Sequence, residues 1–390
     1  MPKLKKLILI SNSFSFILDY KIPLIECALK KDKDSKIIVM VPDKNHKDYQ
    51  NEAYKKYEKI MKKNKTLLNI KRGSKIFSIF RNIFEITKFI YSCKSNEEIY
   101  IVSHTATINL SLLLSSIFNF KFRNISFIYV ITGFGPSKIR KGIRSRLIGR
   151  VYIKSMQIAS SLKKHRIITL NKQDRDIIQD FNPSRKVFLV RESGISKETF
   201  LKYKEISKPE LKKIKIVYVG RFLLEKGIND LETISSYLKL SGIVHTFIAY
   251  GSKDNFNSSC IGNPYSKKSS IENNVIFNPA MPYEEIFRDA NIAIFPSLRE
   301  GHPKLVPLAM LFKCIPIASP NPGLDVDIID GFNGLLASTS SPSSIAAEIV
   351  KLYTNPNLYK KILKGCETYV ENLSELPLNE EFLKNIFFKD

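Results

Sequence analysis

Paired cysteines, a long apolar run and, over one stretch of fifty residues, any acidic residue are what this chain lacks. Its five cysteines (Cys27, Cys93, Cys260, Cys314 and Cys366) are odd in number, scattered, and never spaced as Cys-x-x-Cys. That argues against a disulfide framework or a zinc site and for a reducing compartment. No apolar run reaches the roughly 18 residues of a membrane span. The N-terminus reads Met-Pro-Lys-Leu-Lys-Lys and passes straight into an apolar strand, without the h-region and small-residue cleavage site of a signal peptide. Residues 101–150 hold no aspartate or glutamate.

What is present suits two α/β domains. The chain has 390 residues, 44% of them hydrophobic, enough for two cores. Its formal charge is +25, unevenly spread. Residues 1–200 carry 40 lysines and arginines against 16 acids, and residues 201–390 carry 22 against 21. Coding bias would enrich both halves alike, so the asymmetry suggests that the first half meets something anionic.

Apolar, β-branched runs alternate with helical patterns from end to end. Strands are expected at residues 7–10, 36–41, 98–103, 126–132, 166–170 and 186–190. After a polar linker at 202–213 the rhythm restarts, with strands at 214–219, 245–250, 275–278, 292–295, 315–318 and 334–337. Helices are expected near 227–240, 282–290, 302–313, 342–354, 357–372 and 379–389, and a polar loop at 252–274. Such alternation means parallel sheets covered on both faces. The expected domains are 1–205, 206–375 and a C-terminal helix at 376–390. Ligands of open α/β sheets bind at the carboxyl ends of the strands, here expected to face a central cleft.

Two segments carry the chemistry. In Val217-Tyr-Val-Gly-Arg-Phe-Leu-Leu-Glu-Lys-Gly227 a buried strand ends at Gly220, and Arg221 and Lys226 follow beside a helix start. Two cations near free backbone N–H groups suit a diphosphate, which Arg binds bidentately and Lys as a point charge. The alternative is a solvated pair in a polar turn. In Phe295-Pro-Ser-Leu-Arg-Glu-Gly-His-Pro-Lys-Leu-Val-Pro-Leu-Ala-Met310 a strand runs into a turn with a carboxylate, a glycine and a proline. Glu300 can accept hydrogen bonds from sugar hydroxyls, and Gly301 lets backbone approach a ligand. The alternative for Glu300 is a helix cap.

Together these segments resemble glycosyltransferase family 4, of the GT-B fold: two Rossmann-like domains with parallel sheets. The matching positions are Gly220-Arg221, Glu225-Lys226-Gly227, Pro296-Ser297, Glu300-Gly301-His302-Pro303, Ala309-Met310, Pro316, Pro322-Gly323 and Asp330-Gly-Phe-Asn-Gly-Leu-Leu336. Order and spacing hold over roughly 214–340. The resemblance implies a retaining, metal-independent hexosyltransferase with no cofactor. Its donor is a nucleotide sugar, with uridine diphosphate as the family's prior. Gly220, Arg221 and Lys226 would hold the diphosphate. Glu300 would contact the sugar, supported by Gly301, His302, Pro303, Lys304 and Leu305. Glu300, Arg221 and Lys226 are the catalytic candidates. Two departures stand out. Leu308 occupies the position of a second glutamate that grips the ribose, and His302 replaces a phenylalanine in what reads as an exposed loop.

The first half matches less closely. Asp19-Tyr-Lys-Ile-Pro-Leu-Ile25 and Val130-Ile-Thr-Gly-Phe-Gly135 resemble members that build bacterial surface glycans, such as capsule or O-antigen, on a lipid carrier. That implies a lipid-linked saccharide acceptor, with Ser13, His104, Thr132 and Gly133 on the acceptor side. A structural role for His104 is the alternative. Lys138, Arg140, Lys141, Arg144, Arg146 and Arg150 form a basic cluster on a helix with apolar Ile143, Leu147, Ile148, Val151 and Tyr152. The segment 75–93 is unusually apolar for a surface helix, with packing on the sheet and lipid contact both open. Charge plus apolar residues points to an anionic membrane surface, hence a cytoplasmic, peripheral location. Nucleic acid is not expected, because no nucleic-acid motif accompanies the charge. Of three Asp-x-Asp triplets (Asp32/Asp34, Asp174/Asp176, Asp325/Asp327), two lie in helical or turn stretches without the strand-end context of a metal–diphosphate site, and the resemblance implies no metal. Leu308 keeps a second reading open, a weakly catalytic or non-catalytic partner of another transferase.

Overall fold

A computed structural model describes residues 6–32, 35–41, 67–69, 76–93, 98–118, 124–134, 143–184, 187–192, 194–206, 214–252, 259–260 and 275–387. They fall into two compact units, Met1–Glu192 with Pro377–Asp390, and Ser193–Leu376.

Among the described residues the first unit is built on seven parallel strands: β1 (Lys6–Ile10), β2 (Lys36–Val41), β3 (Leu67–Asn69), β4 (Ile99–His104), β5 (Ile125–Ile131), β6 (His165–Thr169) and β7 (Phe188–Leu189). Their order is β3-β2-β1-β4-β5-β6-β7. The apolar strands have no polar face because both faces are covered. Leu7 and Leu9 face one core with the helices Phe14–Tyr20 and Ile22–Lys31. Ile8 and Ile10 face another with Ile86 and Ile90 of the helix Ile76–Ser92 and residues of Ala106–Phe118 and Ile143–Ser161. β3 is a strand beyond those expected. It is three residues long and follows a Lys- and Asn-rich stretch with no alternation to read.

The second unit has, among the described residues, six parallel strands, β8 (Ile214–Val219), β9 (His245–Gly251), β10 (Ile276–Pro279), β11 (Ile292–Phe295), β12 (Ile315–Ala318) and β13 (Leu335–Leu336). The order is β10-β9-β8-β11-β12-β13. Two of its helices start where the sequence says they should. Ser341 accepts a hydrogen bond from the Ser344 N–H ahead of Pro342–Thr354, and Asn355 accepts one from Leu358 N–H ahead of Pro356–Ser374. Both starts combine a polar cap with a proline in the first turn.

The expected boundary lay at 205/206, whereas the units divide at 192/193. The helix Lys197–Tyr203 belongs to the second unit because Tyr203 is buried there, its ring 4.8 Å from that of Phe312 and its hydroxyl donating to Glu284. The C-terminal helix Leu378–Ile386 belongs to the first unit, where Phe382, Leu383 and Ile386 join the core and Arg166 donates to the Ile386 carbonyl at 2.7 Å.

Candidate active site

In both units the chain reverses direction across the sheet between two neighbouring strands, β1 and β4 in the first, β8 and β11 in the second. Such a switch point leaves a crevice beyond the carboxyl ends of those strands. In the second unit both singled-out segments leave the sheet there: Gly220-Arg221 follows β8, and Pro296-Ser297 follows β11.

The two segments are joined by backbone. The Leu298 N–H donates to the Glu225 carbonyl at 3.0 Å. Gly227 closes the short 3-10 turn Leu224–Lys226 at φ 73°, and a Cβ there would lie 2.4 Å from the Pro296 carbonyl oxygen. Only glycine meets both conditions. The expected helix at 227 begins later, at Leu231, after a second 3-10 turn over Ile228–Asp230.

This join delivers Lys226 to Glu300. The ammonium lies 2.5 and 2.6 Å from the two carboxylate oxygens, with side chains 20% and 15% exposed. Glu300 therefore does not cap the following helix, Leu305–Leu311, whose N-cap is Lys304 with no side-chain capping bond. Arg221 is exposed beside the pair in sequence, and its carbonyl accepts the Tyr218 hydroxyl at 2.9 Å. Burial, and next the Glu300 charge, push that hydroxyl far above its ordinary pKa, so Tyr218 stays a neutral donor. Leu308 is buried, and its side chain offers nothing that accepts a hydrogen bond.

The loop carrying Glu300 is held from beneath and from behind. Gly323, at φ 93°, would place a Cβ 2.5 and 2.6 Å from the Glu300 and Gly301 carbonyl oxygens. His302 corrects an expectation: it does not sit in an exposed loop. Its side chain is buried, and Nε2 donates to Asp327 Oδ2 at 2.9 Å. Asp327 Oδ1 accepts the Tyr369 hydroxyl at 2.7 Å, and the Asp327 carbonyl accepts Asn333 Nδ2 at 2.9 Å. Asp327 belongs to one of the Asp-x-Asp triplets, and its partners His302 and Tyr369 lie 25 and 42 residues away in the sequence. Asp325 accepts the Gly323 N–H at 3.1 Å. In another triplet Asp174 is buried against its helix cap, Asn171. Asp34 lies outside the described residues. Among the described residues no group of three His, Cys, Asp or Glu side chains is arranged to hold a metal ion.

In the first unit Ser13, His104, Thr132 and Gly133 follow or end β1, β4 and β5, three adjacent strands. Ser13 takes the N-cap position of Phe14–Tyr20 without a side-chain capping bond. Within this unit the His104 ring is fully buried. It lies 5.2 Å from the Phe16 ring, and Nε2 is 3.8 Å from Glu192 Oε1. The buried Lys21 is bonded to the same Glu192 oxygen. Burial first, then the Lys21 charge, hold His104 well below the usual histidine range, so it is neutral.

Lys138, Arg140 and Lys141 of the basic cluster lie outside the described residues, as does the Arg144 side chain. Arg146 and Arg150 are exposed, together with Ile143 (84%), Leu147, Ile148 and Val151, while Tyr152 is buried. In the helix Ile76–Ser92, Ile86 and Ile90 pack inward, and Phe80 (66%), Phe84 and Tyr91 stand outward. It packs on Ala106–Phe118, which packs on Ile143–Ser161. Among the described residues no helix is long and apolar enough to cross a membrane.

Residues 200–366 match the family model described as glycosyl transferases group 1. The chain is 22% identical over 395 residues to an N,N'-diacetylbacillosaminyl-diphospho-undecaprenol alpha-1,3-N-acetylgalactosaminyltransferase of Campylobacter jejuni subsp. jejuni serotype O:2, covering 97% of this chain and 99% of that one. Its fold is similar to sucrose-phosphate synthase from Thermosynechococcus elongatus, with a TM-score of 0.72, 14% identity and 98% of each chain covered. It is also similar to Anabaena HepE in complex with UDP and glucose, with a TM-score of 0.69, 11% identity, and 98% and 99% of the two chains covered. The two parallel-sheet units are the GT-B glycosyltransferase architecture.

Proposed function

We propose that this group 1 glycosyltransferase of GT-B fold moves a hexose or N-acetylhexosamine from a UDP-linked donor to a lipid-linked saccharide, with retention, in surface-glycan synthesis. The observation that carries the donor site is the Lys226–Glu300 pair at the switch point of the second unit. A donor diphosphate would replace the carboxylate as the counter-charge of Lys226, with Arg221 as the second cation. Glu300, released, accepts hydrogen bonds from the sugar hydroxyls. As the bond from sugar to diphosphate breaks, negative charge grows on the leaving oxygens, and the two cations stabilise it without rearranging. The diphosphate charge thus falls to side chains rather than to a metal ion. Gly220, Gly301, Pro303, Lys304 and Leu305 shape the backbone around donor and sugar. Support for a lipid-linked acceptor comes from the name of the Campylobacter relative, and support for UDP from the ligand of the Anabaena structure. Ser13, Thr132 and Gly133, at adjacent strand ends, are the acceptor-side candidates, and buried His104 would act from behind them.

Thermal shift with a panel of nucleoside diphosphates and their sugars tests the donor site. Stabilisation by one nucleotide class, lost in Arg221→Ala, is the expected result. Leu308 favours a second reading, a weakly catalytic partner of another transferase, because a leucine cannot grip a ribose. Absence of any nucleotide-induced shift in the wild type would turn the assignment to that reading.

Support for a peripheral place on the inner face of the cell membrane comes from the outward Phe80, Phe84, Leu147 and Ile148, with Arg146 and Arg150 nearby in sequence. Each basic residue near an anionic leaflet contributes about 1 kcal/mol, and the apolar groups add burial. Co-flotation with vesicles containing phosphatidylserine, and not with phosphatidylcholine alone, is the expected outcome.

A further inference from the structure

Resting on the donor-site proposal, we infer that His302, Asp327 and Tyr369 form a positioning device that sets the sugar-contacting loop, so that sugar preference depends on residues that need not touch the sugar. His302 stands two residues after Glu300, and its ring is wholly buried. One carboxylate, Asp327, accepts from both the His302 ring at 2.9 Å and the Tyr369 hydroxyl at 2.7 Å. Tyr369 belongs to the helix Pro356–Ser374, a rigid element distant in sequence. Asp327 is itself fixed: its carbonyl accepts Asn333 Nδ2, and Asn333 Oδ1 accepts the Ile329 N–H at 2.7 Å. Gly323 fills the remaining space under the Glu300 and Gly301 carbonyls. The loop is therefore pinned through directional bonds to a long helix on one side and by steric contact on the other.

Stability alone does not account for such a grouping. Removing a carboxylate and a histidine from water is costly, and well-packed apolar side chains of similar volume serve folding as well or better. What a hydrogen-bonded pair adds over apolar packing is a fixed direction. Two residues span at most about 7 Å of chain, so a ring free to shift at 302 would shift the Glu300 carboxylate with it. A loop holding a sugar needs its groups within a fraction of an ångström. UDP alone has no sugar for Glu300 to contact, so the device bears on the preference for a UDP-sugar over UDP.

The test replaces the three polar side chains together: His302→Phe, Asp327→Val and Tyr369→Phe. Titration calorimetry with UDP, and with whichever of UDP-glucose, UDP-galactose, UDP-N-acetylglucosamine and UDP-N-acetylgalactosamine binds the wild type most tightly, is combined with thermal unfolding. The expected variant unfolds at or near the wild-type temperature, yet its preference for the UDP-sugar over UDP falls about tenfold. A folded variant that keeps the wild-type preference overturns the device and leaves the donor site standing. A wild type that binds neither UDP nor any of the four overturns both. Should the triple variant fail to fold, Asp327→Asn decides instead, since it keeps one oxygen acceptor. A lowered preference supports the device, and an unchanged one overturns it.

Discussion

The two units put charge at the same place in the same architecture and treat it in opposite ways. Beyond β1 and β4, Lys21 and Glu192 are sealed beside the neutral His104, their side chains 1% and 5% exposed. Beyond β8 and β11, Lys226 and Glu300 keep 20% and 15% of their surface. A sealed pair cannot trade its partner for a ligand, because each ion would be stranded in a low dielectric. A pair at the edge of water can. The first unit thus spends its buried charge on holding chain segments together, and the second keeps its charge exchangeable.

Breaking the sealed pair should have the largest effect. Lys21→Met strands Glu192 and is expected to destabilise the protein by roughly 3–5 kcal/mol in urea denaturation, whereas Lys21→Met with Glu192→Leu recovers most of it. A small loss in the single variant would mean that water reaches Glu192 and that the contrast between the units is overstated. Breaking the exchangeable pair should act on chemistry instead. Lys226→Ala is expected to lower sugar transfer roughly 10²–10³-fold, the scale of removing one preorganised stabiliser of transition-state charge, with a smaller shift in thermal unfolding than Lys21→Met. Equal damage to stability from both would dissolve the distinction.

Acid sharpens the picture of the first unit. His165, whose Nδ1 lies 2.9 Å from the Tyr129 hydroxyl, has its pKa lowered by burial to about 4. Between that value and its unfolded value near 6.5 the unfolded chain binds the extra proton, so stability rises with pH across this window. The contribution is present above about 6.5 and is lost as pH falls toward 4, on the order of 3 kcal/mol. Urea denaturation at pH 7 and 4.5 should show a shallower pH dependence in His165→Gln than in the wild type. The smallest effect is expected at the surface: Arg146→Glu with Arg150→Glu should weaken co-flotation with phosphatidylserine vesicles several-fold and leave stability in place.

How much of this could be read from residues alone follows chemical distance. The strands of both sheets were legible, except β3, because two-sided burial writes itself as unbroken apolar runs. The Gly220–Gly227 and Phe295–Met310 segments were legible because each packs its chemistry into a few consecutive positions. The meeting of Lys226 with Glu300 was implied only as two roles, since no local pattern says that residues 74 apart share a hydrogen bond. The Lys21–Glu192 pair, 171 residues apart, and His302–Asp327, 25 apart, left no trace beyond a lysine in an apolar run and an Asp-x-Asp spacing. Helix starts were legible at Ser341 and Asn355, where capping is local. They were misplaced near 227, where two 3-10 turns precede the α-helix.

The return of Leu378–Ile386 to the first unit bears on the order of events during synthesis. Domains generally fold as the chain emerges, the N-terminal one first. Here a nascent first unit has its described strands by residue 189 but waits for the rest of the chain before Phe382, Leu383 and Ile386 pack against the helix Ile22–Lys31 and complete its core. Until then that apolar surface is open to whatever else the ribosome exit offers, a chaperone among them. The second unit, although translated later, needs nothing beyond residue 376 and completes its own set of elements first.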